Sequence, residues 1–322
     1  MIRMDAEDRK PFAEALARAI SSLTGTELDA ALDEIGWREA LPDFTADAVS
    51  ILFEHQGRAR AHTSALEAVL IDAGSMAAEA SCVLLPALGD TDPPATLGPA
   101  GLDVRGLALS TIGSAQTALM VAATRDGHLV VSVPISALTV RPVEGMDPTI
   151  GLCRVEASQV ADSEWTTSHG VDWSEVLASG QLALAHELIG LSRTMLEMAR
   201  EHALAREQFG RPIATFQAVR HKLAESLVAI EAAESAASAA WDTPGPLAAS
   251  IAKSLAGQGA RTVAKHVQQV LAGMGFTTEH DFHQHFKRAL VLDQLLGSSR
   301  RLTEDLGRHL LATRELPDML PL

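Results

Sequence analysis

The stretch REQFGRPIATFQAVRHKLAE, residues 206–225, decides the fold of this chain. It follows a long helical pattern, is interrupted at Phe209-Gly210, and leads into a second helical pattern that starts near Val219. Arg206 therefore stands where one helix ends. From there its guanidinium could donate two hydrogen bonds to a diphosphate, whereas the plainer alternative is a surface salt bridge.

Helical periodicity continues on both sides of this stretch. Apolar residues recur at steps of three and four from Trp173 onward, again from Val219, and through the ranges 248–271 and 286–311, with a possible break near Gly297. Four long helices joined by short loops predict an up-and-down bundle. The first 80 residues carry shorter helical patterns, which predict a separate helical domain.

The middle of the chain changes period. The run LPALGDTDPPATLGPAGLD, residues 85–103, is rich in Pro, Gly and Asp and cannot continue a helix. After it, TALMVAAT and LVVSVP flank Asp126-Gly127, a pair that favours a tight hairpin. The predicted fold class is α+β and mostly α, with an N-terminal helical domain (1–82), a small middle β domain (83–170) and a C-terminal four-helix bundle (171–322).

Composition excludes several classes of protein. The 322 residues are 47% hydrophobic and 4% aromatic, and the net charge of −15 argues against binding along a nucleic-acid backbone. Two cysteines far apart predict neither a disulfide framework nor a metal site. No run of residues is long and apolar enough to span a bilayer, and the first residues lack a signal-peptide pattern, so we expect a cytoplasmic protein.

Residues 206–225 resemble the acyl-CoA dehydrogenase family, in which an Arg, a Phe-Gly and a Phe-Gln recur at this spacing. The run QVLAGMGFTTEH, residues 269–280, is similar to the family's Gln-x-x-Gly-Gly-x-Gly element, with Ala272 in place of the first paired glycine. The resemblance implies that these elements contact the adenosine diphosphate half of an FAD bound mainly to a neighbouring subunit. The cofactor-binding residues implied for this chain are Arg206, Phe209, Phe216, Gln217, Gln269 and Gly273.

The catalytic carboxylate of the family has no counterpart here. The resemblance puts Leu296 at one known position of the catalytic Glu and Gly180 at the other, and neither residue can accept the α-proton of an acyl thioester. The nearest carboxylates, Glu175 and Glu187, are not obvious substitutes. We therefore predict no catalytic residue in this chain.

The loop that holds the flavin ring in the family also departs from its pattern. It corresponds here to LLPALGDTDPPATLG, residues 84–98, which is shorter and lacks the family's Thr-Glu-Pro sequence. The chain is similar to the short, degenerate subunit of actinobacterial α2β2 acyl-CoA dehydrogenases. This resemblance implies a complete partner subunit that holds most of the acyl-CoA, which can be steroid-derived, with FAD shared at the subunit interface.

Two alternatives remain open at this point. The chain could be a self-sufficient homo-oligomeric flavoenzyme that uses a displaced carboxylate such as Glu187, or a flavin-free protein that keeps the bundle for assembly. Other chemistry has weaker signals. A metal site at His280, His283 and His285 is not favoured, and Lys287-Arg288 are expected to be interface charges. No hydrolase motif or convergent histidine accompanies Ser64, Ser192 or Ser226.

Overall fold

The computed structural model describes residues 2–76 and 81–314. Five helices open the chain: α1 (Ala6–Ser22), α2 (Thr26–Ile35), α3 (Trp37–Asp43), α4 (Thr45–Ala59) and α5 (Ala65–Ala73). Their buried residues include Leu16, Trp37 and Phe53, which belong to the same apolar core as the C-terminal helices. The short helices predicted for this part of the chain are confirmed.

The middle of the chain is a mixed sheet of eight strands. They are β1 (Ser81–Val83), β2 (Ala95–Gly98), β3 (Gly101–Ala108), β4 (Thr117–Ala123), β5 (His128–Pro134), β6 (Thr139–Pro142), β7 (Cys153–Val160) and β8 (Thr166–Gly170). The order across the sheet is β6-β7-β3-β2-β4-β5-β8, and β1 lies parallel to β4 beside it. The hairpin predicted at Asp126-Gly127 is confirmed, since β4 and β5 pair antiparallel from Thr117–Pro134 to Ala123–His128.

Alternation of side chains along the strands divides the apolar residues between two cores. In β4, Leu119 and Val121 face the helices, whereas Ala118 and Met120 face a second cluster that the sheet encloses by itself. This separation follows from the two-residue period of a strand. One face of the sheet is therefore fixed against the helical part of the chain.

The C-terminal helices are α6 (Trp173–Ala205), α7 (Gln217–Asp242), α8 (Pro246–Leu271), α9 (Phe282–Gln294) and α10 (Ser299–Thr313). A two-stranded hairpin, β9 (Glu207–Gln208) with β10 (Arg211–Pro212), joins α6 to α7. The fold class is confirmed, and so is the break near Gly297, which separates α9 from α10. The predicted domain ranges also include residues 1, 77–80 and 315–322, which lie outside the described residues.

The helix α6 is the centre of the molecule and packs against α4, α5, α7, α8 and α9. Its contact with α4 is very close: a Cβ added to Gly190 would lie 2.1 Å from the carbonyl oxygen of Glu54, and one added to Gly57 would lie 2.1 Å from that of Glu187. Paired glycines thus fix the crossing of these two helices. Among the described residues, none of the helices is long and apolar enough to cross a membrane.

Candidate functional site

The turn after α6 presents two aromatic rings and two arginines. Arg206 caps the end of α6, and its backbone N–H donates to the carbonyl of His202 at 2.8 Å. Phe209 has a left-handed φ of 54° and is 93% exposed. Its ring meets that of Phe216 edge to face at 6.1 Å, and the guanidinium carbon of Arg211 lies 4.5 Å from the centre of the Phe216 ring. The turn therefore offers an aromatic surface beside positive charge.

The end of α8 forms the facing wall. Gln269 lies in the last turn of this helix, and a short 3-10 turn follows from Ala272 to Phe276. Ala272 has φ 51° and ψ −125°, a conformation that residues with a Cβ rarely adopt. A Cβ added to Gly273 would meet no atom of the chain within 4 Å, so packing inside this chain does not require the glycine.

These two walls enclose a cleft of about 690 Å³. Five of the six predicted cofactor-binding residues line it, namely Arg206, Phe209, Phe216, Gln269 and Gly273. Gln217, the first residue of α7, is not among the lining residues. The structure thus brings together residues that lie up to 67 positions apart in the sequence, although their role in cofactor binding stays a prediction.

The cleft is positively charged in an acidic protein. The chain has 41 Asp and Glu residues, yet none of those within the described ranges lines the cleft. Arg206 and Lys222 line it, and neither makes an ion pair with any residue in the described parts of the chain. His202 also lines the cleft, and burial is the main cause that lowers its pKa, followed by the nearby His280 and Arg206. Such a cleft favours an anion.

The predicted base positions lie elsewhere, and the structure brings them together. A Cβ added to Gly180 would lie 2.4 Å from Cδ1 of Leu296 and 2.9 Å from Cδ2 of Leu70. Leu296 itself is fully buried. The backbone around it is held by Gln181 Nε2, which donates to the Leu296 carbonyl at 3.0 Å, and by Lys253 Nζ, which donates to the Gly297 carbonyl at 3.4 Å. We call the region formed by Gly180, Leu70, Leu296 and Gly297 the base position. It is filled by packed apolar side chains.

The shortened loop covers the same place. The Gly89 N–H donates to the Gln294 carbonyl at 2.8 Å, and the Ser298 N–H donates back to the Gly89 carbonyl at 3.4 Å. Trp173 Nε1 donates to the Thr91 carbonyl at 2.8 Å, which ties the loop to the first turn of α6. The loop predicted to have lost its contacts with a flavin ring thus bonds to the chain's own helices.

Glu187, the alternative base, is fully engaged in a buried ion pair. Its Oε1 accepts from Arg288 Nη2 at 2.7 Å and from Nε at 3.2 Å, and its Oε2 accepts from Gln56 Nε2 at 3.0 Å. Both charged side chains are at least 96% buried. The expectation that Arg288 is an interface charge is wrong, because this side chain neutralises Glu187 inside the molecule. Glu175 lies exposed in the first turn of α6.

Ser226 does have a histidine beside it, contrary to the expectation from sequence. Its Oγ lies 3.3 Å from His266 Nδ1, and His266 Nε2 lies 3.4 Å from a carboxylate oxygen of Glu225. The Ser226 side chain is fully buried, however, and its hydroxyl donates to the Lys222 carbonyl at 2.8 Å. An inaccessible hydroxyl whose proton is already donated to a carbonyl is not a nucleophile.

The histidines at positions 280–285 have ordinary structural roles. His283 Nδ1 lies 2.9 Å from the His280 carbonyl, and His285 Nδ1 lies 3.2 Å from that of Asp281. No group of three potential ligands within residues 2–76 and 81–314 is arranged to hold a metal ion.

Sequence reasoning missed Lys222 and Glu67. Glu67 is buried at the edge of a second cavity, of about 540 Å³, where Thr111 Oγ1 and the Val83 N–H donate to its Oε1 at 2.7 and 3.1 Å. Burial is the main cause that raises its pKa to about 7. No local sequence pattern distinguishes Glu67 from a glutamate on a solvent-exposed helix face. The signal for Lys222 was its place five residues after Gln217, on the helix that borders the predicted site.

Comparison with known proteins supports the resemblance. Residues 172–311 match the family model of the acyl-CoA dehydrogenase C-terminal domain. Over 184 residues the chain is 37% identical to acyl-CoA dehydrogenase IpdE2 of Mycobacterium tuberculosis, a match that covers 57% of this chain and 54% of that protein. The match therefore spans about half the length of this relative.

Solved structures share the whole fold. The ChsE4–ChsE5 complex from Mycobacterium tuberculosis superposes with a TM-score of 0.76 at 20% identity and covers 99% of this chain and 100% of that chain. A variant of the steroid ACAD Tcur3481–Tcur3483 gives a TM-score of 0.74 at 22% identity, with 95% and 96% covered. At these identities the likeness shows the fold alone.

Proposed function

We propose that this chain, whose residues 172–311 match the model of the acyl-CoA dehydrogenase C-terminal domain, is the non-catalytic subunit of an FAD-dependent acyl-CoA dehydrogenase. In this proposal a complete partner subunit binds the acyl-CoA and supplies the base. The present chain contributes its cationic cleft to the adenosine diphosphate half of the partner's FAD. The bound flavin would supply the hydride acceptor for α,β-dehydrogenation.

The observation that carries this proposal is the contrast between the filled base position and the open cleft. Leu296 packs onto Gly180, and the loop at Gly89 bonds to Gln294 and Ser298, so this chain offers neither a carboxylate nor space there. The cleft beside Arg206 is open, and no Asp or Glu of the described residues lines it. This contrast supports the inference that the chain binds the phosphates of a cofactor whose reactive ring lies in the partner subunit.

The similar structures support a class of partner and a class of substrate. The ChsE4–ChsE5 complex and Tcur3481–Tcur3483 each pair two different chains, and the second is a steroid ACAD. We accordingly propose a hetero-oligomer of α2β2 type with a bulky, steroid-derived acyl-CoA as the substrate of the partner's site. We further propose that one FAD is shared at each interface between unlike subunits.

The residues of this chain have binding and positioning roles. The Arg206 guanidinium would donate to the diphosphate, since it is free of ion pairs with the described residues. Phe216 and Phe209 would cover the adenine, and Gln269 offers an amide that can both donate and accept hydrogen bonds. Gly273 leaves room for a ligand to approach the backbone.

The test is FAD content and native mass of the chain purified alone and co-expressed with a longer acyl-CoA dehydrogenase encoded beside it. We expect a colourless lone chain and a yellow complex with about one flavin for each pair of unlike subunits. Arg206→Met in the complex should lower the FAD content and leave the native mass unchanged. A yellow homo-oligomer of the lone chain, with one flavin per chain and dehydrogenase activity, would overturn the proposal.

A further inference from the structure

Lys222 is the cation of the cleft that the family resemblance does not assign. It lies in the second turn of α7, is half-buried, and lines the cleft together with residues from the end of α8. Its ammonium group makes no hydrogen bond or ion pair with any side chain in the described parts of the chain. The carboxylate of Glu225, three residues further along α7, pairs with His266 instead.

The neighbouring cations are placed differently. Arg211 lies over the ring of Phe216, so its position is set by the aromatic contact. Arg220 is exposed and does not line the cleft. Only Arg206 and Lys222, among the Lys and Arg residues of the described chain, line it, and they come from different elements: the end of α6 and the second turn of α7.

The start of α7 adds to this positive potential. Its N-cap residue, Phe216, has no side chain that can accept from the first-turn N–H groups, and the first turn contains no Asp or Glu. Ala218 and Val219 of that turn line the cleft. The helix dipole therefore raises the local potential on the side from which Lys222 projects. The apolar residues Phe216, Val219 and Leu271, also in the lining, reduce the screening by water.

We propose that Lys222 is the second phosphate-binding residue of this cleft, so that the two phosphates of the FAD diphosphate are held by Arg206 at the end of α6 and by Lys222 on α7. This inference rests on the proposed function, since it assumes that the cleft receives the adenosine diphosphate half of FAD. The two side chains would bind their phosphates differently because their charged groups differ in shape. The planar guanidinium forms a paired contact with one phosphate, and the ammonium acts as a point charge beside the other.

The experiment is a titration of FAD into the flavin-depleted complex of this chain with its longer partner. The variants are Lys222→Met, Lys222→Arg and, as the matched control, Arg220→Met, which removes an exposed cation two residues away on the same helix. We expect Lys222→Met to weaken FAD binding roughly ten- to hundredfold and to reduce its dependence on salt, because one charge-assisted contact is lost. Lys222→Arg should keep most of the affinity, and Arg220→Met all of it.

Native mass of each variant complex is the second readout, because a change confined to phosphate binding leaves assembly intact. Lys222→Met with wild-type FAD affinity and wild-type salt dependence would overturn the inference. The same holds if Arg220→Met weakens binding as much as Lys222→Met, because the effect would then be that of overall charge. If Arg206→Met is also without effect, the proposed function fails; if Arg206→Met weakens binding and Lys222→Met does not, only the present inference fails.

Discussion

The first half of α6 and its C-terminal end differ in whether the surrounding residues leave space for a ligand. Near the start of α6, Leu296 fills the space beside Gly180, and in the middle of the helix Arg288 neutralises Glu187. At Arg206, which is 26 residues and therefore roughly 39 Å along the axis from Gly180, the helix ends at an open cleft whose cations make no ion pair with the described residues. The first half of the helix is thus closed by the chain's own side chains, whereas its C-terminal end borders an open cleft.

The largest effect on stability is expected when an arginine is replaced by methionine in each of these two regions. Arg288→Met leaves the Glu187 carboxylate buried without its ion partner, so we expect the free energy of unfolding to fall by about 3–5 kcal/mol. Arg206→Met removes a cation without an ion partner in the described chain, so we expect a change within about 0.5 kcal/mol. Urea unfolding of the lone chain measures both. Equal effects would contradict the distinction between the two regions.

The outcome for Arg288 illustrates what sequence could not supply. The helices and the β4–β5 hairpin follow from local periodicity and from Asp126-Gly127, so they were predictable. The Glu187–Arg288 pair joins residues 101 positions apart, and no local pattern relates them. Lys222 was missed for a similar reason, because on a mostly polar stretch of helix a lysine is indistinguishable from a solvated one until the facing wall of α8 is in place.

The second prediction tests whether the base position can be restored. Leu296→Glu puts a carboxylate against Leu70 and the backbone of Gly180, where we expect it to lower the free energy of unfolding by about 3 kcal/mol at neutral pH. The lone chain should gain no dehydrogenase activity, because the loop at Gly89 still occupies the adjoining space. Activity assays with acyl-CoA substrates and denaturant unfolding measure the two outcomes.

Leu296→Gln is the matched control, because it is polar without the charge. Burial raises the pKa of a carboxyl group, so the Glu variant binds its proton more readily when folded than when unfolded, and its deficit relative to the Gln variant should shrink as the pH falls. A stable Glu variant that oxidises acyl-CoA on its own would show that the position is a usable site, and would support a self-sufficient enzyme.

The third prediction compares two histidines of α6. His186 is buried and accepts a hydrogen bond from Trp241 Nε1 at 3.0 Å, and burial is the main cause that lowers its pKa to about 4. Between pH 6.5 and 4 the unfolded chain binds this proton and the folded chain does not, so stability falls with falling pH. From pH 7 to pH 5 this histidine alone should cost about 2 kcal/mol.

His186→Gln keeps an acceptor for Trp241 and removes the titration, so its unfolding free energy should depend less on pH than that of the wild type by this amount. His202→Gln, at the cleft, is the comparison, because its side chain is less buried and its pKa is lowered less far. Urea unfolding at several pH values measures both variants. A wild-type pH dependence in His186→Gln would contradict the assignment of a buried neutral histidine.

The smallest expected effect concerns the wall of the cleft at the end of α8. Ala272 carries its Cβ at φ 51° and ψ −125°, a strained conformation that glycine adopts freely. Ala272→Gly should therefore raise the free energy of unfolding by about 1 kcal/mol, because the relief of strain exceeds the added freedom of glycine in the unfolded chain.

Gly273→Ala is the control, since its Cβ meets no atom within 4 Å and its backbone is not left-handed. It should leave the lone chain's stability almost unchanged and lower the FAD content of the complex, because the new methyl group projects into space that only a bound ligand fills. If Gly273→Ala leaves the FAD content intact, the ligand does not approach this wall, and the open end of α6 would then hold the cofactor through the side of α7 alone.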